Sequence, residues 1–189
     1  MDTSSRSSIF SIVAGDKSVP LARPLVLVGF MAVGKSTIGA LLADRLEVPF
    51  ADTDAEIERA FGMTVADIFR ARGEAEFRNA ERRVISALLA GRPMILAAGG
   101  GAFVDAETRE VLLESATTVW LDTPIDLILA RIGRSNDRPL AAGRSEKQLR
   151  RLWEERRPCY AQAQVRVDAA GDTRRALNQI VGALGRAQL

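Results

Sequence analysis

Eight consecutive residues constrain this chain more than any others: Gly29-Phe30-Met31-Ala32-Val33-Gly34-Lys35-Ser36, a G-x-x-x-x-G-K-S run that follows the apolar Leu25–Val28. Its glycines let the backbone wrap closely, so that amide N–H groups point inward at phosphate oxygens. The amphipathic run after it, Lys35–Leu46, adds the positive N-terminal end of a helix. Lys35 reaches β- and γ-phosphates and Ser36 ligates Mg²⁺, so the loop fits a magnesium nucleoside triphosphate. The alternative is a glycine-punctuated turn that binds nothing. Even as a phosphate loop it serves small-molecule kinases, GTPases and motor ATPases alike, so the acceptor must be sought elsewhere.

Downstream of the loop, short apolar runs alternate with longer amphipathic ones. Strands are expected at Leu25–Val28, Pro49–Asp52, Met94–Ala98, Thr117–Leu121 and Gln164–Val167. Helices are expected at Lys35–Leu46, Asp54–Phe61, Val65–Arg70, Glu74–Leu89, Ala106–Glu114, Pro124–Ile132, Glu146–Ala161 and Thr173–Leu184. Thr64 with Asp67 approximates a capping box, Thr123-Pro124 reads as an N-cap before a proline, and Thr173 can cap the last helix. Strands interleaved with helices imply an α/β fold of the P-loop type: a five-stranded parallel sheet between two helical layers. In such sheets ligands sit beyond the carboxyl ends of the strands. With 189 residues, 47% of them hydrophobic, one domain is expected. It should run over residues 24–189, behind a loosely ordered Ser-rich tail at 1–23.

Composition removes several chemistries. Cys159 is the only cysteine and there is no histidine, which excludes intramolecular disulfides, Cys/His zinc sites and His-activated nucleophiles. Acid/base work must fall to carboxylates or lysine. The net charge is +2, and no apolar run approaches the ~20 residues of a membrane span. The Ser- and Arg-rich opening has some features of a transit peptide, but Asp2 and Asp16 argue against it. A soluble, cytoplasmic monomer is expected, with neither nucleic acid nor membrane as a partner.

Candidate acceptor residues follow the strands. In Asp52-Thr53-Asp54, alternate residues on an extended segment point the same way, so one carboxylate can serve the metal and the other an incoming hydroxyl. The same residues can instead be helix-capping acids. Arg78 can form a surface pair with Glu74 four residues before it, or can clamp a substrate carboxylate with Glu81 behind it. Gly99-Gly100-Gly101 suits close approach of bare backbone to a ligand, with N–H groups available, or a flexible turn. From Arg131 to Arg157 nine basic residues crowd together, broken by Gly133, Pro139 and Gly143. This reads as an arginine-bearing mobile loop followed by a helix, most of whose charges form a solvated face.

Taken together, GFMAVGKST, DTD, ADIF-x6-EFR-x2-E, GGG, R-x6-RPL and R-x-P-x-Y, in that order, resemble shikimate kinase, a small P-loop enzyme. The resemblance covers about Leu25 to Leu184 and implies ATP-dependent phosphorylation of the 3-hydroxyl of shikimate, with Mg²⁺, toward chorismate and the aromatic amino acids. It implies that Val33, Gly34, Lys35, Ser36 and Thr37 hold the nucleotide phosphates, with Ser36 on the metal and Asp52 supporting the metal through water. Asp54 would bind the reacting hydroxyl and act as its base. Arg78, Arg156 and the Gly99–Gly101 backbone would grip shikimate, walled by Phe69 and Phe77. Arg138, on a lid, would reach the γ-phosphate, and Arg131 would lie against adenine. Lys35, Asp54 and Arg138 are thus the implied catalytic set.

Ala32 departs from the family, which often has glycine there, and Ala141 and Cys159 replace bulkier apolar residues. Arg156 is chosen over Arg157 by its spacing to Pro158. The rivals are another metabolite kinase such as a gluconate kinase, a non-catalytic sensor on this fold, and an RNA-binding protein.

Overall fold

The run Leu25–Val28 is buried along its whole length, as a strand covered on both faces must be. The computed structural model describes residues 21–133 and 144–187. Their elements are β1 (Leu25–Val28), α1 (Lys35–Leu46), β2 (Phe50–Asp52), α2 (Thr53–Phe61), α3 (Val65–Leu89), β3 (Ile95–Ala97), α4 (Ala106–Ser115), β4 (Thr117–Asp122), α5 (Ile125–Gly133), α6 (Glu146–Tyr160), β5 (Val165–Asp168) and α7 (Thr173–Ala187). The strands form one sheet in the order β2-β3-β1-β4-β5, and every pairing is parallel. Leu25 pairs with Ile95 on one side and Thr117 on the other, so β1 is central and its phosphate loop opens midway along the carboxyl edge. The direction of chain progression reverses beside β1, where this class of sheet places its ligands.

Two apolar clusters divide the work. The main core joins the sheet to α1, α4 and α7 and contains Leu27, Leu42, Leu96, Leu121 and Ile180. A second, smaller cluster of Ile57, Val65, Ile68 and Phe77, with Phe61 and Phe69 against it, ties α2 to α3. This second cluster makes the α2–α3 pair a unit of its own beside the sheet. α3 bends at Gly73, whose φ of 78° and ψ of 172° lie outside the helical region. The two helices expected on either side of that glycine, Val65–Arg70 and Glu74–Leu89, are thus both present and meet at this break.

Element ends show which cap wins locally. Thr64 accepts from the Asp67 N–H as expected. At the other two sites the cap is a neighbour of the expected residue. The carbonyl of Pro124 accepts the N–H groups of Leu127 and Ile128, so α5 begins after the proline. Thr123 is buried, and its Oγ1 has no hydrogen-bond partner among the described residues. For α7 the cap is Asp172, which accepts from the Arg174 N–H at 3.0 Å, while Thr173 is already helical. A carboxylate one residue earlier outcompetes the hydroxyl for the same exposed N–H groups. In the phosphate loop Ala32 takes a φ of 64°. An L-residue there costs roughly 1–2 kcal/mol relative to glycine's freedom.

Residues 1–20, including most of the expected tail, lie outside the described residues, as does the segment 134–143 with Arg138, Pro139, Ala141 and Gly143 that the lid expectation invoked.

Candidate active site

The floor of the site is the N-terminus of α1. Gly34 caps it in the left-handed conformation at φ 97°, and the first helical bond runs from the Ile38 N–H to the Gly34 carbonyl at 2.8 Å. Lys35, Ser36 and Thr37 are the first three helical residues, so their N–H groups find no partner within the helix and face the loop's mouth. Lys35 Nζ donates to the carbonyls of Gly29 at 3.0 Å and Phe30 at 2.9 Å, which folds the ammonium back across that mouth. Val33, beside Gly34, is buried, and its carbonyl and that of Ala32 face the Arg131 guanidinium at 3.3 and 3.4 Å. Arg131 also donates to the Ala169 carbonyl, so it bridges the phosphate loop and the loop after β5.

Asp52 caps α2, as the capping reading of the DTD segment expects, and also meets Ser36. One carboxylate oxygen accepts the Asp54 N–H at 3.0 Å and caps α2; the other accepts the Ser36 hydroxyl at 2.5 Å. A hydroxyl and a carboxylate joined at the mouth of a phosphate loop are the hard oxygen donors that magnesium takes, with phosphate oxygens and water completing its shell. Among the described residues no group of three or more His, Cys, Asp or Glu could hold a metal ion unaided.

Asp54 lies one step further in. A Cβ placed on Gly99 would come within 2.5 Å of Asp54 Oδ1 and 3.1 Å of Glu81 Oε1, so only glycine leaves room for these carboxylates. Burial, then the neighbouring Asp52, holds the Asp54 carboxyl above the ordinary aspartate range, against the pull of Lys35 and Arg78. Thr53, between the two aspartates, is fully buried and accepts the Gly99 N–H at 2.8 Å. The Gly99 N–H is thereby taken, while those of Gly100 and Gly101 have no hydrogen-bond partner among the described residues.

Arg78 is mostly buried and paired with Glu81 at 2.5 Å, with Glu74 more distant at 3.4 Å. The surface pair expected as its bland alternative is thus the lesser of its contacts. Its guanidinium lies 5.3 Å from the Phe77 ring centroid and 6.0 Å from that of Phe69, and a Cβ on Gly101 would sit 2.4 Å from Nη2. Phe69 and Phe77 themselves lie 4.4 Å apart, centroid to centroid. Burial, opposed by Arg78, pushes the Glu81 carboxyl up to about 7. Between about pH 4.5 and 7 the folded chain therefore keeps a proton that the unfolded chain releases. The stability this contributes is complete below that window and lost as pH rises through it. Denaturant titrations should show the stability of wild type relative to Glu81→Gln falling across the window and level above it. A difference independent of pH would mean that Glu81 is ionised throughout.

The adjacent arginines of α6 part company. Arg156 donates to the Gly100 carbonyl at 3.3 Å and faces the Phe30 ring, whereas Arg157 turns to the Trp120 and Trp153 rings at 6.0 and 5.4 Å. One residue of helix rotates a side chain by about 100°, and the spacing to Pro158 picks the inward one. Lys35, Asp54, Arg78, Gly100 and Arg156 line one cavity of about 590 Å³, with Arg144 at its edge. Much of the basic segment is a solvated face, as expected: Arg150 bonds Asp126 and Glu146, and Arg151 bonds Glu155. Sequence reasoning offered Thr53 only as an alternative cap of α2 and gave Tyr160 no part in the acceptor site. The second was available as the end of R-x-P-x-Y, the first only as the middle of DTD. Arg138 lies outside the described residues.

Comparison of the chain's sequence with known proteins gives one family. The family model described as shikimate kinase matches residues 31–184. The chain is 48% identical over 163 residues to a shikimate kinase of Caulobacter vibrioides, covering 86% of this chain and 81% of that one. To a shikimate kinase of Zymomonas mobilis it is 47% identical, covering 79% and 86%. Its fold superposes on the solved shikimate kinase of Acinetobacter baumannii in complex with shikimate with a TM-score of 0.80 and 36% identity, covering 90% of this chain and 96% of that one.

Proposed function

This chain belongs to the shikimate kinase family, and from that premise we propose how its residues carry the reaction. It phosphorylates the 3-hydroxyl of shikimate with ATP and Mg²⁺, giving shikimate 3-phosphate and ADP in the biosynthesis of chorismate and the aromatic amino acids. The residue assignment is carried by one juxtaposition: a half-buried carboxylate, Asp54, lines the same cavity as the phosphate loop and the Arg78 and Arg156 guanidiniums.

Lys35 and the N–H groups of Gly34, Ser36 and Thr37 bind the nucleotide phosphates, with Val33 shaping the loop and Arg131 beside the base. Ser36 and Asp52 hold magnesium, which when bound draws charge from the phosphate oxygens and so favours displacement. Arg78 and Arg156 grip the single carboxylate of shikimate, and the N–H groups of Gly100 and Gly101 face its hydroxyls. Asp54 accepts the hydroxyl proton as the 3-oxygen bonds to the γ-phosphorus and the bond from that phosphorus to the bridging oxygen of ADP breaks. Phe69 and Phe77 keep water from the acceptor side.

The kinase domain runs from residue 24, and the protein is a cytoplasmic monomer that engages neither membrane nor nucleic acid. Among the described residues no helix is long and apolar enough to cross a membrane, and Arg150 and Arg151 of α6 are paired with carboxylates.

The deciding measurement is ADP release from Mg-ATP with shikimate, with gluconate and with no acceptor. Release should depend on shikimate alone. Release that gluconate supports equally, or that needs no acceptor, would overturn the assignment of the acceptor residues.

A further inference from the structure

Tyr160 is the chain's only tyrosine, and the roles above leave it without one. Its ring is buried at the end of α6 and stacked on Trp120 of β4, centroids 6.5 Å apart. A phenylalanine would satisfy that packing. The hydroxyl, however, donates at 2.5 Å to the carbonyl of Gly100, the same oxygen that accepts Arg156 Nη1 at 3.3 Å. A carbonyl oxygen has two lone pairs, and here side chains four residues apart on one helix take both. Gly100 also sits where the acceptor loop meets the phosphate loop: a Cβ there would be 3.5 Å from Met31 N and 3.9 Å from the Gly29 oxygen.

The peptide that carries the Gly100 carbonyl also carries the Gly101 N–H, and in a trans peptide the two point in opposite directions. Anchoring the carbonyl toward α6 therefore turns the Gly101 N–H away from it. That N–H has no partner among the described residues, and Gly101 lines the cavity.

We propose that Tyr160 is a positioning residue for the acceptor: through the Gly100–Gly101 peptide it sets the direction of the Gly101 N–H and the placement of Arg156, without itself touching shikimate. This rests on the reading that Arg156 and the glycine run face the acceptor. Burial, against the pull of Arg156, pushes the phenol up to about 12, so it remains a protonated donor across the working pH range. Tyr160 itself makes no hydrogen bond to the phosphate loop, which it meets only through the backbone of Gly100, and this predicts an effect that falls mainly on one substrate.

The test is a kinetic cycle of wild type, Tyr160→Phe, Arg156→Met and the double variant, with KM measured for shikimate and for ATP. Tyr160→Phe should raise the shikimate KM about five- to tenfold and leave the ATP KM within twofold. In the Arg156→Met background the same change should raise the shikimate KM by a clearly smaller factor, because the placement of Arg156 no longer counts and only the direction of the Gly101 N–H remains. An equal factor in both backgrounds, or an ATP KM that rises as much, would overturn the proposal in favour of a packing role. If Arg156→Met alone leaves the shikimate KM unchanged, the reading of the site beneath the proposal fails instead.

A second measurement avoids mutating Tyr160. Because it is the only tyrosine, growth on 3-fluorotyrosine labels this residue alone. Its ¹⁹F resonance should shift saturably with shikimate in the wild-type background, and not in Arg156→Met at the same concentrations. A resonance indifferent to shikimate at saturation would overturn the proposal.

Discussion

Asp54→Asn is expected to lower kcat for shikimate-dependent ADP release by about 10²–10⁴-fold, with the ATP KM changed by less than threefold. Asparagine keeps the shape that Gly99 accommodates and the N–H that Asp52 caps, so the fold and the phosphate loop should survive. It loses the proton acceptor. It also removes a negative charge that the neighbouring Asp52 disfavours, so thermal stability should stay level or rise. A loss of activity explained by unfolding would therefore appear as a lower melting temperature, and this variant should not show one. Retention of more than a tenth of the wild-type kcat would remove Asp54 from its role as base.

Arg78→Met should act on binding first. It removes one of the two cations proposed for the shikimate carboxylate, and truncating one partner of a desolvated charge pair costs about 2–5 kcal/mol. The shikimate KM should accordingly rise by a factor on the order of 10²–10³, with the ATP KM little changed. The fold should suffer too, because Glu81 is only 1% exposed and loses its partner. That loss is moderated by protonation: Glu81 already titrates near 7, and without Arg78 its carboxyl moves higher, so at neutral pH the buried group is uncharged. Adding Glu81→Gln to Arg78→Met should recover stability in a thermal melt without recovering the shikimate KM. Recovery of both together would mean that Arg78 matters for the architecture of α3 and not for the substrate.

Much of the scaffold was legible because its signals are local. Leu25–Val28 and Lys35–Leu46 have the expected bounds, since Gly34 punctuates the passage between them, and Gly73 breaks α3 between the two helices expected there. Where two adjacent residues can perform one task, pattern alone chose poorly: Pro124 and Asp172 start the helices that Thr123 and Thr173 were expected to cap. The site was legible as a set of residue types after the strands, but its wiring was not. Thr53 reaches Gly99 across 46 positions and Tyr160 reaches Gly100 across 60. No periodicity encodes such contacts, because they depend on β2 and β3 being neighbours and on α6 passing over β4. Arg156 and Arg157 differ only in which side of one helix turn they occupy.

The central position of β1 also orders events in time during synthesis. Among the described strands it is the first to leave the ribosome, yet its two neighbours, Ile95–Ala97 and Thr117–Asp122, are made roughly 70 and 90 residues later. Until then a nascent chain exposes Leu25–Val28 with both edges open, the kind of segment on which aggregation and holding chaperones act. The phosphate loop therefore gains its shape late in translation, and truncation before Asp122 should yield a chain without a nucleotide site rather than a smaller working kinase.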